Sequence, residues 1–209
     1  MTPHDFAVAF IRRWEDGNCD DPVRTHSLDH DDSGNWTGAA IGVGSLVGSQ
    51  HGVTPKALAT YRKVDVGTIT LQVMRDLTRA EAADIALQNY FLRPRLDLLP
   101  WNIVTASVFD FGWGAGPTTG VARLQDMVDA PIQDGILTPG GNTSKLFTAL
   151  CERQPIEFVA GVWSALRDRY YEDVIRAKPV KSKYEHGWDN RTRWYTPGDP
   201  EQFWKAFAA

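Results

Sequence analysis

The stretch TPHDFAVAFIRRWEDG, Thr2 to Gly17, carries the strongest structural signals in this sequence. Thr2 can cap a helix, Pro3 suits the first helical turn, and Asp5 completes a capping-box pattern. Gly17 is a good helix terminator. Four apolar residues at helical spacing share one face of this segment: Phe6, Phe10, Ile11 and Trp14. The sequence therefore predicts an amphipathic helix that opens the chain and ends near Gly17.

Glu15 lies in the last turn of this helix, where the negative end of the helix dipole disfavours an ionised carboxylate. Between Glu15 and Asp32 the chain has seven acidic residues and one basic residue, Arg24. Like charges held close together favour the protonated form of at least one carboxyl group. A carboxyl group that keeps its proton near neutral pH can protonate a departing glycosidic oxygen. We therefore predict that Glu15 is a general acid.

The remainder of the chain reads as mainly helical. Between Asn18 and Val53 the composition shifts to Gly, Ser, Asp and Asn, and the alternating segment Ala40–Val43 predicts a small β-hairpin among turns. The helix over 79–93 should begin with a capping box of Thr78 and Glu81. Further helices are predicted from Pro55 and over 70–77, 101–111 (ending in the turn Gly112-Trp113-Gly114), 117–129, 142–153, 155–177 and 200–208. We expect a mainly α fold with a small β lobe near the N-terminus.

Composition excludes several classes of function. The chain has 209 residues, 43% hydrophobic and 23% charged, which are ordinary values for a soluble globular protein. A net charge of −4 without a basic stripe argues against nucleic acid as a partner. The longest apolar runs are too short for a membrane span, and the N-terminus does not read as a signal peptide. We expect a cytoplasmic protein that does not insert into membranes.

Cys19 and Cys151 show no CxxC spacing and are expected as free thiols, with a disulfide as the alternative.

Several segments follow one another in a suggestive order: Glu15-x-Gly17, Asp21-Pro22, Asp32-Ser33-Gly34-Asn35-Trp36-Thr37 and Gly52-Val53-Thr54. Together they resemble the phage-type N-acetylmuramidases of glycoside hydrolase family 108. That family typically has Glu-Gly-Gly-Tyr ending its first helix, then Asp-Pro-Gly-Gly-x-Thr, then Tyr-Gly-Ile-Thr. Two departures stand out. Asp16 and Asn18 replace a glycine and the tyrosine, and Gly38–Val47 reads as an insertion.

The second half of the chain resembles the peptidoglycan-binding region commonly appended to this family. The resemblance implies a lysozyme-like α+β catalytic lobe over residues 1–100 and a helical binding region over 101–209, packed on it. The segments that carry it are Ser107–Gly112, Val121–Gln125, Asp134-Gly135, Thr143–Leu150, Arg169–Tyr171 and His186–Arg191.

The resemblance also implies roles for individual residues. Glu15 would protonate the oxygen that leaves between N-acetylmuramic acid and N-acetylglucosamine. Asp32 would stabilise the oxocarbenium-like state, or would position the attacking water together with Thr37. Asp29 is the nearest rival of Asp32 for this role. The expected substrate-binding residues are Asp29, the aromatic platforms Trp36 and Trp113, and His51 and Gly52.

The resemblance implies a phage endolysin that acts on bacterial peptidoglycan as a monomer, needs no metal or cofactor, and is released by a holin. Three alternatives remain open at this point. A lysozyme-like chitinase shares the N-acetylglucosamine unit. A zinc-dependent wall amidase would use His26-x-x-x-His30, two imidazoles at a spacing that suits zinc on a helix. A non-catalytic wall-binding virion protein would use aromatic and basic residues of the second half: Arg167, Arg169, Trp188 and Arg191.

Overall fold

The computed structural model of the protein describes residues 1–21, 23–196 and 203–205. It divides into an N-terminal unit, Thr2–Asn89, and a C-terminal unit formed by Met1 and Tyr90–Ala209. The described residues are mostly helical, with one two-stranded antiparallel sheet in the N-terminal unit. The predicted lysozyme-like, mainly α fold with a small β element near the N-terminus is confirmed. The functional division at residue 100 stays a prediction. Within the described part, no helix is both long and apolar enough to cross a membrane.

The first helix, α1, spans Pro3–Phe10 and begins with the predicted capping box. The Asp5 amide donates to Thr2 Oγ1 at 3.2 Å, and the Thr2 amide donates to Asp5 Oδ2 at 3.1 Å. The helix continues as a π-helical turn, Ile11–Glu15, and Gly17 follows with φ +58°. Apolar residues of this segment are fully buried: Phe6, Phe10 and Ile11. The buried face of α1 thus holds the π-helical turn in place, and Glu15 is the last residue of that turn.

The small sheet pairs β1, His26–Ser27, with β2, Ser49–Gln50. The prediction that Ala40–Val43 forms the hairpin is wrong. These residues form a turn, in which the Val43 amide donates to the Ala40 carbonyl at 3.0 Å. Gly42 and Gly44 both have φ +77°, a backbone conformation that cannot continue a strand. The strands therefore lie at the two ends of the glycine-rich region, and its middle is a loop.

Three further helices complete the N-terminal unit, and each begins at a threonine. The caps are Thr54, Thr70 and Thr78, whose hydroxyls accept the amides of Ala57, Val73 and Glu81 at 3.3, 3.2 and 3.2 Å. The predicted capping box at Thr78 is half formed, since the Glu81 carboxylate binds Arg62 instead, at 2.8 Å through both oxygens. The helices are α2, Pro55–Arg62; α3, Leu71–Arg75; and α4, Arg79–Ala86, followed by the π-helical segment Leu87–Leu92.

The C-terminal unit is built around α5, Ile103–Ala115, in which ten residues are buried. The predicted end of this helix at the Gly112–Gly114 turn is wrong, because the helix continues to Ala115 and Gly116 is its C-cap. A Cβ on Gly112 would lie 3.4 Å from Pro117 Cα, so this glycine allows the next helix to pack closely. The other helices are α6, Pro117–Met127; α7, Asn142–Arg153; α8, Ile156–Ala177; and α9, Glu185–Arg193. The predicted helix over 200–208 falls largely outside the described residues.

A buried ion cluster joins three helices of this unit. Asp110 on α5 accepts hydrogen bonds from Arg167 on α8 at 3.2 Å and from Arg191 on α9 at 2.7 Å. The side chains of Asp110 and Arg167 are both 0% exposed. Arg167 also donates to Ser107 Oγ at 2.7 Å. Arg167 therefore belongs to the interior of the unit. The non-catalytic alternative required it to be a surface residue that binds the cell wall, and it is not.

Candidate active site

The candidate active site centres on Glu15, the last residue of the π-helical turn. Its side chain is half-buried and packs over Gly52, the residue before the Val53-Thr54 entry to α2. A Cβ placed on Gly52 would lie 2.8 Å from Glu15 Oε2 and 2.9 Å from Glu15 Cγ, too close for real atoms. Gly52 also has φ +77°, which L side chains rarely adopt. Both space and backbone conformation therefore require glycine beneath the Glu15 carboxylate.

Asp16, the residue after Glu15, has a fully buried carboxylate. Asp16 Oδ1 accepts from His51 Nδ1 at 2.8 Å, and Asp16 Oδ2 accepts from Arg79 Nε at 2.6 Å. Gln50 Nε2 lies 3.4 Å from His51 Nε2, so both ring nitrogens of His51 are engaged. Residues 16 and 51 flank Glu15 and Gly52 directly in the sequence. The network therefore fixes the two backbone segments whose contact positions the Glu15 carboxylate.

Arg79, the first residue of α4, neutralises part of the acidic cluster. It donates to Asp16, to Asp20 Oδ1 at 2.8 Å and to the Cys19 carbonyl at 2.8 Å. Partial burial opposes its charge, but the hydrogen bonds to Asp16 and Asp20 raise the pKa of Arg79 above its ordinary value. The hydrogen bond from Arg79, helped by the charge of Arg12, lowers the pKa of Asp20. The lopsided charge of this stretch is thus balanced by cations from elsewhere in the N-terminal unit.

Sequence reasoning missed Arg79, although one local signal was available. A cation in the first turn of a helix is disfavoured by the positive end of the helix dipole, so Arg79 at the start of α4 indicates an anionic partner elsewhere. The partner is Asp16, which stands where the family pattern has glycine. The partner lies 63 positions away in sequence, and no periodicity links the two residues.

Asp32 lies on an exposed turn next to the Glu15–Gly52 contact. Its Oδ1 accepts the Gly34 amide at 2.9 Å and caps the short 3-10 helix Ser33–Asn35. A Cβ on Gly34 would lie 3.2 Å from Thr54 Cγ2. Thr54 is two residues beyond Gly52, so their Cα atoms are separated by at most roughly 7 Å. The structure therefore brings Glu15 and the Asp32 turn against the same three-residue segment.

Thr37 and Asp29 both use their side chains to hold this loop. The nearly buried Thr37 hydroxyl accepts the Ser45 amide at 2.9 Å, which closes the Gly38–Val47 loop at its base. Exposed Asp29 accepts the Asp31 amide at 2.9 Å through Oδ1. Asn35, fully buried and not foreseen from sequence, donates to the Asp29 carbonyl at 2.9 Å. The catalytic role of Thr37 and the substrate role of Asp29 stay predictions.

The two predicted aromatic platforms lie in different units. Trp36 is half-buried in the N-terminal unit, and its indole N–H donates to the His30 carbonyl at 2.9 Å. Trp113 belongs to α5 of the C-terminal unit and packs on Tyr90, with ring centroids 4.9 Å apart. Sugar binding by either ring stays a prediction. His51, with a side chain 7% exposed, has little surface for a sugar, and its geometry favours a positioning role.

The histidines of the zinc alternative do not share a helix turn. His26 lies in β1 with Nε2 3.1 Å from the Val47 carbonyl, whereas His30 is exposed and pairs with Asp31 at 3.0 Å. Among the residues that the structure describes, no group of three or more His, Cys, Asp or Glu side chains could hold a metal ion. Cys19 and Cys151 are both free thiols, as predicted.

Comparison with known proteins identifies the family. The family model described as "Glycosyl hydrolase 108" matches residues 8–116, more than half of the chain. The chain belongs to the glycosyl hydrolase 108 family. The matched region contains Glu15, Asp32, Thr37 and Gly52, and membership implies hydrolysis of peptidoglycan. The family part of the sequence-based resemblance is therefore confirmed.

One solved structure supports the fold. The "Structure of Brucella abortus SagA" is similar with a TM-score of 0.58 and 20% sequence identity, over 77% of this chain and 81% of that chain. At this identity the likeness shows a shared fold alone. No curated protein matches the chain in sequence.

Proposed function

We propose that the protein is an N-acetylmuramidase that cleaves the β-1,4 bond between N-acetylmuramic acid and N-acetylglucosamine in peptidoglycan. The observation that carries this proposal is the Glu15 carboxylate, held over Gly52 at the end of a helical segment with one buried face, within the family-matched region. A half-buried carboxyl group on a rigid element meets the geometric needs of a general acid. Glu15 donates its proton to the glycosidic oxygen as the bond to the leaving sugar breaks.

Asp32 is the second carboxylate in this proposal. It is exposed beside the segment that carries Gly52, and one of its oxygens is held by the Gly34 amide. It stabilises the positive charge that develops on the sugar ring, or it orients the attacking water together with Thr37. Asp29, tied to the same turn through its carbonyl and carboxylate, is the rival for this position.

Mass spectrometry of digested peptidoglycan tests the bond specificity. A muramidase leaves a new reducing end on N-acetylmuramic acid, a glucosaminidase leaves it on N-acetylglucosamine, and an amidase releases peptides. Chitin oligosaccharides serve as the comparison substrate, because they contain the N-acetylglucosamine unit without the lactyl group or peptide. Reducing ends on N-acetylmuramic acid with slow chitin cleavage support the proposal. Preferential chitin cleavage or released peptides alone would overturn it.

For the biological role, we propose a phage endolysin that acts as a monomer, accumulates in the host cytoplasm and reaches the wall after a holin permeabilises the membrane. The support is the resemblance of the motifs from Glu15 to Thr54 to phage-type muramidases. Expression in the cytoplasm should be tolerated until the membrane is opened. Prompt lysis of intact expressing cells would contradict this role while leaving the enzymatic proposal standing.

A further inference from the structure

The C-terminal unit contains a pocket of about 280 Å³ that no residue of the candidate active site lines, although Gln125, Asp134 and Thr143 belong to the segments that carry the resemblance. It lies between the 129–141 loop and the first turn of α7. Pro131, Ile132 and Ile136 give it apolar walls, and Asp134 and Thr143 supply polar groups. Ligand pockets usually measure roughly 300–1,000 Å³, so this one suits the end of a chain-like ligand.

The first turn of α7 has no side-chain cap. Its N-cap residue is Gly141, and a Cβ there would lie 2.6 Å from Thr138 Oγ1 and 2.9 Å from the Thr138 carbonyl. A serine or aspartate cap is therefore excluded by space. Within the part of the chain that the structure describes, the backbone amides of residues 142–144 have no acceptor. Such amides, aligned with the helix dipole, attract an anion.

A hydroxyl group at this turn gives an independent indication of a ligand. Thr143 lines the pocket, is only 7% exposed, and makes no hydrogen bond to any described residue. Buried polar groups are nearly always hydrogen-bonded in native proteins, because an unsatisfied one destabilises the fold. An oxygen of a bound carboxylate would satisfy the Thr143 hydroxyl.

Another part of the lining is held by hydrogen bonds and carries a negative charge. Gln125, 2% exposed, donates to Asp134 Oδ1 and to the Ile136 carbonyl, both at 3.1 Å, and accepts the Gly135 amide at 2.7 Å. The hydrogen bond from Gln125, followed by that from the Ile136 amide, lowers the pKa of Asp134, so its carboxylate stays ionised. Ile132 and Ile136 are more than half exposed and offer apolar contact.

We propose that this pocket binds the free carboxyl end of a short peptide that also carries an ammonium group. The carboxylate meets the amides of the first turn of α7 and the Thr143 hydroxyl, and the ammonium group meets Asp134. A small apolar residue lies against Ile132 and Ile136. This inference rests on the proposed function, since the peptide of peptidoglycan combines a diamino acid with a terminal D-alanine carboxylate.

Isothermal titration of the full chain with Nα-acetyl-L-Lys-D-Ala-D-Ala tests the proposal. The same peptide with a C-terminal amide should bind about tenfold more weakly, since it lacks the charge that the helix terminus recognises. The peptide acetylated at Nε should also bind more weakly, and Asp134→Asn should remove that difference. Equal affinity for the acid and the amide, or no binding at all, would overturn the proposal.

Thr143→Val removes the pocket hydroxyl at nearly constant volume. Thr148→Val, on the same helix outside the pocket lining, is the matched control. We expect weaker binding only in Thr143→Val, with circular dichroism melting curves showing that both variants fold. Should Thr143→Val fail to fold, the comparison of acid and amide peptides on the unaltered chain decides the question. Equal affinity of two folded variants would contradict the proposal.

The titration contains no glycan and is therefore independent of hydrolysis. A chain that releases sugar reducing ends from walls but binds no peptide would refute the pocket and leave the muramidase proposal intact. A chain that binds the peptide but releases no reducing ends would refute the muramidase proposal and leave the pocket as a peptide site.

Discussion

Gly52 allows the geometry around Glu15 to be tested with a single methyl group. In Gly52→Ala the new Cβ overlaps the Glu15 carboxylate, which must move. Because displacements near 1 Å at a catalytic group strongly reduce rates, we expect hydrolysis to slow roughly tenfold to a hundredfold. The measurement is the initial rate of wall hydrolysis at equal protein concentration, with melting temperatures recorded in parallel.

Gly42→Ala is the control for that substitution. Gly42 has the same φ of +77°, but an added Cβ there meets nothing within 4 Å. Both variants carry the same kind of backbone strain, so both should melt at a lower temperature, and Gly52→Ala should fall further because its Cβ also overlaps Glu15. A loss of activity that is equal in the two variants would mean that strain, and not the Glu15 contact, is responsible.

Asp16 illustrates what local patterns could and could not predict. The position of Glu15 at a helix end followed from the Thr2 cap, the apolar spacing and Gly17, which are all local signals. Burial of Asp16 did not follow, because it depends on Arg79 and His51 from distant parts of the chain. The sequence therefore indicated correctly that the acidic stretch is unusual. One of its carboxylates, Asp16, stabilises the fold by pairing with His51 and Arg79.

Helix α4 is tied to the acidic stretch by Arg79, and this tie should matter for stability. Arg79→Met leaves the fully buried Asp16 carboxylate with His51 alone. Removing one partner of a buried ion pair costs about 3 kcal/mol, so we expect a decrease of that order in the free energy of unfolding. Urea denaturation followed by circular dichroism measures it.

Arg12→Met is the matched control, because Arg12 pairs with exposed Asp20 at 3.5 Å. Exposed pairs contribute little to stability, so Arg12→Met should leave the free energy of unfolding nearly unchanged. Similar stabilities for Arg79→Met and Arg12→Met would show that the network around Asp16 is not a structural anchor.

The helices were more predictable than the turns between them. The helix starts near residues 55, 70 and 79 were predicted correctly, because each helix is capped by a threonine and a cap is a contact within one turn. The two errors both involved glycine. Gly42 interrupts a segment that alternates like a strand, and Gly112 permits helix packing where it was interpreted as a stop. The role of a glycine depends on what packs against it, which sequence spacing does not show.

The family-matched region, residues 8–116, extends beyond the N-terminal unit and includes α5. Within the C-terminal unit α5 is buried nearly all round, so it is not a detachable segment. We therefore predict that a fragment of residues 1–100 is insoluble or binds walls more weakly than the full chain. Co-sedimentation with purified peptidoglycan measures this. Wild-type solubility, binding and activity in that fragment would show that residues 101–209 contribute nothing to function.

The assignment of Glu15 as the general acid is tested by the rate of reducing-end release from peptidoglycan by Glu15→Gln. Glutamine keeps the size and hydrogen bonding of the side chain but has no transferable proton. We expect normal folding and wall binding with a loss of about a hundredfold or more in rate. Asp31→Asn, an exposed member of the same acidic stretch, should retain activity, and Asp32→Asn and Thr37→Ala should lose less than Glu15→Gln. Near-wild-type hydrolysis by Glu15→Gln together with an inactive Asp32→Asn would contradict the assignment of Glu15 as the acid.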